Sequence, residues 1–232
     1  MVSHLLIGSG GEVGRELSGR LLSKKDQVLV TSHRTIPPPA SDSSTPHPIR
    51  LSWDFNTPEA GLSDIVKALG PSSLRSLSLF AHPPFTRQKG IVAKIPLFHS
   101  LSSLEGLALL LDHLLPMFEP RPSVLFFFPS LSHHKADAYL PARAWIGAFQ
   151  GFFEEWSRAH RECVVTGIEI LITPDSRTPH LSSEMISRIS DRTSRGRLAR
   201  ADEIADFAAY LIRSGNPLFH GQILRTEGGP YY

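Results

Sequence analysis

Tyr139 stands four residues before Arg143, at the head of the apolar, small-residue-rich stretch "AYLPARAWIGAF". Residues four apart on a helix are neighbours on one face, so this spacing sets a phenol one turn from a fixed cation. A phenol with a reference pKa near ~10 is a poor base at neutral pH. A nearby positive charge favours its phenolate. The pair is therefore suited to moving a proton to or from an oxygen of a bound molecule. Arginine supplies that charge as lysine would, but it does not deprotonate and so cannot pass a proton along a relay. The plainer alternative is a tyrosine at a helix start and a surface arginine one turn on.

A second constellation lies near the first residue. "LLIGSGGEVGREL" joins an apolar run to a helical pattern and carries Gly8, Gly10, Gly11 and Gly14. Glycines at this spacing, after a strand and before a helix, suit a dinucleotide-binding turn, with a plain tight turn as the alternative: one allows the tight bend, others let backbone approach a diphosphate, and the last lets helix pack on strand. The helix N-terminus then turns its partial positive charge to the phosphates. The loop residues Gly8, Ser9, Gly10, Gly11, Val13 and Gly14 are the candidate cradle. Glu12 is out of keeping, since a carboxylate beside a diphosphate repels it unless it points to solvent, which its place between the glycines permits.

The end of the second apolar run, "VLVTSHR", distinguishes two cofactors. An acid there accepts from the 2′-hydroxyl of NAD, whereas an arginine accommodates the 2′-phosphate of NADP. Ser32, His33 and Arg34 include no acid, and Arg34 offers a guanidinium fork, so NADP(H) is the expected cofactor. Asp54, next to Phe55 after the third run, could accept from the adenine amino group or cap the following helix.

The elements that must hold these groups alternate along the chain. Short apolar strands begin at His4, Gln27, Ile49, Leu74, Ser123, Cys163 and Gly221, and helical patterns separate most of them. This alternation predicts an α/β, Rossmann-like, doubly wound parallel sheet between two helical layers, one domain over residues 1–232. "SVLFFFPS" is nearly all apolar, as a strand covered on both faces should be. With 41% hydrophobic residues the chain can fill such a core. The net charge of +2 has no basic stripe, which argues against nucleic acid. Glu105, Asp112 and His113 in the longest apolar helix argue against a membrane span. No metal-ligand pattern is present. The lone Cys163 fits a reducing compartment and a buried core role, and no signal-peptide pattern is seen, so a cytoplasmic location is expected. The aromatic series Trp145, Phe149, Phe152, Phe153 and Trp156 reads as core or subunit interface before it reads as a substrate box.

In this order the pieces resemble the short-chain dehydrogenase/reductase family over essentially the whole chain. The anchors are the glycine turn, the Tyr139–Arg143 segment, and the tail "GRLARADEIADFAAYLIRSGNPLFHGQILRTEGG". The resemblance implies carbonyl reduction or alcohol oxidation on a small organic molecule, with a nicotinamide cofactor, in a homodimer or homotetramer. It assigns Tyr139 as proton donor and Arg143 to the place of the usual lysine. Pro129 or Ser130, depending on the gap placed in a shortened loop, falls on the serine that orients the carbonyl; Ser130 is the residue taken, with Ser132 close behind. Ser103 falls where an asparagine anchors a water relay. Ala81 and His82, in "FAHPPF", replace most of an Asn-Asn-Ala-Gly segment beside the cofactor, and Thr173 opens the segment after the sixth strand. His82, His133 and His134 are as consistent with solvated loop histidines as with a substrate lining. These departures leave two other readings beside the reductase: a non-redox catalyst of cyclisation or isomerisation on the same fold, and a dinucleotide-sensing binding module.

Overall fold

The computed structural model describes residues 2–23, 25–32, 47–53, 58–80, 87–88, 91–92, 97–130, 140–171, 173–174 and 182–226. The elements run β1 Val2–Ile7, α1 Glu12–Leu21, β2 Asp26–Ser32, β3 Ile49–Ser52, α2 Pro58–Leu69 and β4 Ser73–Phe80. A short antiparallel pair follows, β5 Arg87–Gln88 with β6 Ile91–Val92, apart from the main sheet. Then come α3 Leu97–Leu114, β7 Phe118–Pro129, α4 Leu140–Ala159, β8 Val164–Ile170, α5 Ser183–Ser190, α6 Ala201–Ser214 and β9 Gln222–Arg225. Among the described residues no helix is long and apolar enough to cross a membrane.

Seven strands form one sheet in the order β3-β2-β1-β4-β7-β8-β9, and every neighbouring pair is parallel. The chain builds outward from β1 to β3, returns to the middle, and builds the other way from β4. The order therefore reverses between β1 and β4, which is where sheets of this kind open a crevice at their carboxyl ends.

Side chains alternate across each strand, so one apolar run serves two cores. Leu5, Ile7, Leu29, Leu77, Leu79, Val124, Phe126 and Phe128 face a core with residues of α2, α3 and α4. Leu6, Val28, Val30, Phe80, Leu125 and Phe127 face the core shared with α1 and α6. Phe126 is the centre of the first core. Its ring lies 5.3 Å from Phe153, 5.6 Å from Phe149 and 6.0 Å from Trp156, centroid to centroid. Trp145, Phe149, Phe153 and Trp156 are buried in this core and Phe152 packs at its edge, so in the chain itself the aromatic series is core. Gly167 on β8 makes room for it: a Cβ there would come within 2.8 Å of the Phe128 ring and 2.9 Å of Ile223.

On the other face, Arg20 of α1 pairs with Asp206 of α6 and with Glu16 one turn back. α6 opens on an acidic pair, as the tail pattern requires. The Glu203 carboxylate accepts the Arg200 backbone N–H at 2.9 Å and pairs with the Arg197 guanidinium. Asp202 pairs with Arg200. These guanidiniums hold both carboxyls well below their ordinary range, at about 2. The helix ends at Gly215 in the left-handed conformation, φ 52°.

Candidate functional site

The turn from β1 into α1 is built so tightly that a side chain at either of two of its glycines would collide with backbone. Gly8 has φ 73°, and a Cβ on it would lie 2.7 Å from the Phe80 carbonyl oxygen. That carbonyl ends β4, so Gly8 sits against the neighbouring strand at the reversal point of the sheet. A Cβ on Gly14 would lie 2.4 Å from the Ser9 carbonyl oxygen and 2.7 Å from Ser9 Cα, so this glycine lets α1 lie down on its own turn. β2 pins the turn from the other side. The Gly8 N–H donates to Thr31 Oγ1 at 3.2 Å, and the Ser9 N–H to the Thr31 carbonyl at 3.0 Å.

Gly11 differs from both. Its backbone is ordinary (φ −78°, ψ 177°), and a Cβ there would meet nothing within 4 Å. It occupies the N-cap of α1, and among the described residues no side-chain oxygen caps the amides of the first turn.

These features test whether a dinucleotide diphosphate suits the turn. Exclusion of side chains at Gly8 and Gly14, open space over Gly11, and an uncapped ten-residue helix fit a diphosphate in shape and in helix polarity. Glu12 is the exception. Sequence reasoning allowed it to turn outward, but its side chain is only 19% exposed. Its Oε1 lies 3.7 Å from the Arg15 guanidinium, and its Oε2 is buried without a hydrogen-bond partner. Two other loop candidates face inward. The Ser9 hydroxyl is buried, 3.4 Å from the carbonyls of Leu6 and Thr31, and Val13 packs into the core with α6. Each offers the crevice backbone only.

Other candidates share the same edge of the sheet. Ser32 ends β2, and Ser130 directly follows β7, which pairs with β4. Ser130 is 7% exposed, and its N–H donates to the Ile170 carbonyl at 2.7 Å, tying the end of β7 to the end of β8. Thr173 lies just past β8 and is 8% exposed. Ser103 falls within α3, and Arg143 in the first turn of α4. Parallel pairing thus gathers the ends of β1, β2, β4, β7 and β8 on one side. Tyr139 immediately precedes α4. It lies outside the described residues, as do His33, Arg34, Asp54, Phe55, Ala81, His82, His133 and His134.

Sequence reasoning missed Thr31, which receives both turn amides. Its only signal was a polar residue at the end of an apolar strand. It also missed Phe80, whose backbone oxygen dictates Gly8 and whose ring stacks on Phe127 at 4.1 Å. Away from the crevice, His4 is buried and its Nδ1 lies 2.7 Å from Ser76 Oγ. Burial holds its pKa below 6.5, with Arg75 and Arg213 acting in the same direction against Asp26 and Glu119. Cys163 is a core residue whose thiol burial pushes up to about 12. Among the described residues no group of three or more His, Cys, Asp or Glu could hold a metal.

No protein-family model and no curated protein matches the sequence. Solved structures do match in shape. A short-chain dehydrogenase/reductase described as glucose/ribitol dehydrogenase, from Brucella melitensis, is 18% identical with a TM-score of 0.79, over 99% of this chain and 96% of that one. A small-chain dehydrogenase in complex with NADPH is 16% identical with a TM-score of 0.73, over 98% and 97%. The MalC reductase/Diels-Alderase of Malbranchea aurantiaca is 18% identical with a TM-score of 0.75, over 97% and 94%. At these identities the likeness is one of architecture, and it is end to end: this chain has the fold of the short-chain dehydrogenases/reductases.

Proposed function

We propose that the chain is an NADP(H)-linked oxidoreductase that reduces the carbonyl or imine of a small organic molecule. The observation that carries this is the β1–α1 turn: at the reversal point of the sheet it excludes side chains at Gly8 and Gly14 and leaves an uncapped helix end open over Gly11. In this reading Gly8, Gly10, Gly11 and Gly14, with the backbone of Ser9 and Val13, hold the diphosphate. Ser32, His33 and Arg34 meet the 2′-phosphate, Asp54 and Phe55 the adenine, and Ala81, His82 and Thr173 the nicotinamide end. The reduced cofactor, when bound, supplies the hydride.

The chain's own groups do the rest. Ser130 donates a hydrogen bond to the substrate oxygen and so orients the carbonyl carbon. The Tyr139 hydroxyl gives its proton to that oxygen as the carbon is reduced, and the phenolate left behind is favoured by the Arg143 charge. Ser103 anchors water that returns the proton, since Arg143 does not release one. Replacing Tyr139 by Phe is expected to lower turnover of a substrate found in a carbonyl panel by about a hundred- to ten-thousand-fold. Unchanged turnover would remove Tyr139 from the mechanism.

A second reading keeps the fold and drops hydride transfer. Arg143 in place of lysine and the carboxylate of Glu12 at the turn favour it, and one protein of this shape is described as a Diels-Alderase as well as a reductase. Product formed in the complete absence of nicotinamide would select this reading. Strict dependence on NADPH would select the first.

A further inference from the structure

We infer that Glu12 limits how tightly the β1–α1 turn holds a diphosphate, so that removing its charge tightens dinucleotide binding. The inference rests on the dinucleotide reading of that turn. Glu12 is the first residue of α1, directly after the uncapped Gly11. A negative charge there is stabilised by the partial positive charge of the helix end. That is the same charge a diphosphate would use. Carboxylate and diphosphate therefore compete for one helix end before they repel one another.

The local structure does little to relieve this competition. The side chain is 19% exposed, so water solvates it poorly. Arg15, its one ion-pair partner among the described residues, is 51% exposed and lies 3.7 Å away, a distance and exposure that give weak compensation. The Glu12 Oε2 is buried and has no hydrogen-bond donor among the described residues. A diphosphate adds two negative charges and no donor, so its arrival leaves that oxygen unpaired in a less polar surrounding. Open space over Gly11 means that shape does not oppose the ligand. The opposition is electrostatic, and it is specific to the charge of what binds.

The test is calorimetric titration of the full chain and of Glu12→Gln with NADPH, and with adenosine as an uncharged probe. The expected result is an NADPH Kd lower by about tenfold or more in Glu12→Gln, the scale of one opposing charge across a partly screened cleft. Adenosine affinity should be the same in both chains. An NADPH Kd unchanged within twofold, with binding intact, overturns the inference and leaves the dinucleotide reading standing. Equal tightening of NADPH and adenosine also overturns it, because the effect would not be one of charge. No NADPH binding by either chain at millimolar concentration removes the dinucleotide reading, and the inference with it. Glu12→Gly, which also removes the charge, repeats the titration should Glu12→Gln fail to fold.

Discussion

Gly11 and Gly14 are three residues apart in one turn, yet alanine at each should do opposite things. At Gly14 the new methyl would lie 2.4 Å from a backbone carbonyl oxygen and 2.7 Å from two further atoms of Ser9. The turn cannot yield, because the Ser9 N–H and hydroxyl are both engaged with β1 and β2. Overpacking of this kind costs about 1–3 kcal/mol. A chain of this size loses about 2–4 °C of Tm per kcal/mol, so Gly14→Ala should melt about 2–12 °C lower. At Gly11 the methyl meets nothing, and φ −78° is open to any residue. Loss of unfolded-chain freedom gains about 0.4–1 kcal/mol, offset by alanine's poorer fit at an N-cap, so the Tm should stay nearly constant. The methyl does, however, fill the space over the uncapped amides, and NADPH affinity should fall. Scanning calorimetry gives the first quantity and ligand titration the second. Should Gly14→Ala melt with the parent, or Gly11→Ala melt several degrees lower, the packing account of the turn is wrong.

Three further outcomes follow from the same structure. Phe126→Ala, at a fully buried ring touched by three aromatic side chains of α4, should cost about 3–5 kcal/mol in urea unfolding, and a loss below about 1 kcal/mol would contradict its central place. Because burial lowers the His4 pKa, the unfolded chain binds a proton near pH 6.5 that the folded chain refuses, so stability holds above that pH and declines below it by at most about 1.4 kcal/mol per pH unit. His4→Gln should flatten the decline in Tm between pH 7.5 and 5.5, and an unchanged slope would assign it elsewhere. Cys163, its thiol pushed up to about 12, should ignore a disulfide reagent at pH 8 in the native chain and react once when unfolded; rapid native reaction would contradict its burial.

The architecture was legible because its signals are local and redundant. Seven apolar runs separated by helical periods leave few arrangements, and α2 begins at Pro58 and ends at Leu69, where the pattern placed it. The errors at the strands fall where the backbone leaves regular geometry. β7 begins at Phe118, five residues before the apolar run. Pro120 and Pro122 hid its start, since neither can donate to a ladder and Arg121 between them has φ 59°. The pairing with β4 shifts register there, between Leu74 and Ser76. The pair β5–β6 has two residues per strand and no periodicity to read. At the crevice, glycine spacing announced the turn, but its real constraints are long-range: the Phe80 carbonyl against Gly8 and the Thr31 side chain beneath it. The inward turn of Glu12 was not legible either, because spacing records no side-chain direction.

Hydrogen exchange of the chain with and without NADPH shows where the ligand sits as well as whether it binds. A dinucleotide seated on the β1–α1 turn should bring new protection to the peptide spanning Ile7 to Arg15, strongest at the amides of Gly11 to Val13, with lesser protection at the ends of β2 and β4. Binding that leaves those amides exchanging as before, or no protection at millimolar NADPH, would contradict that placement.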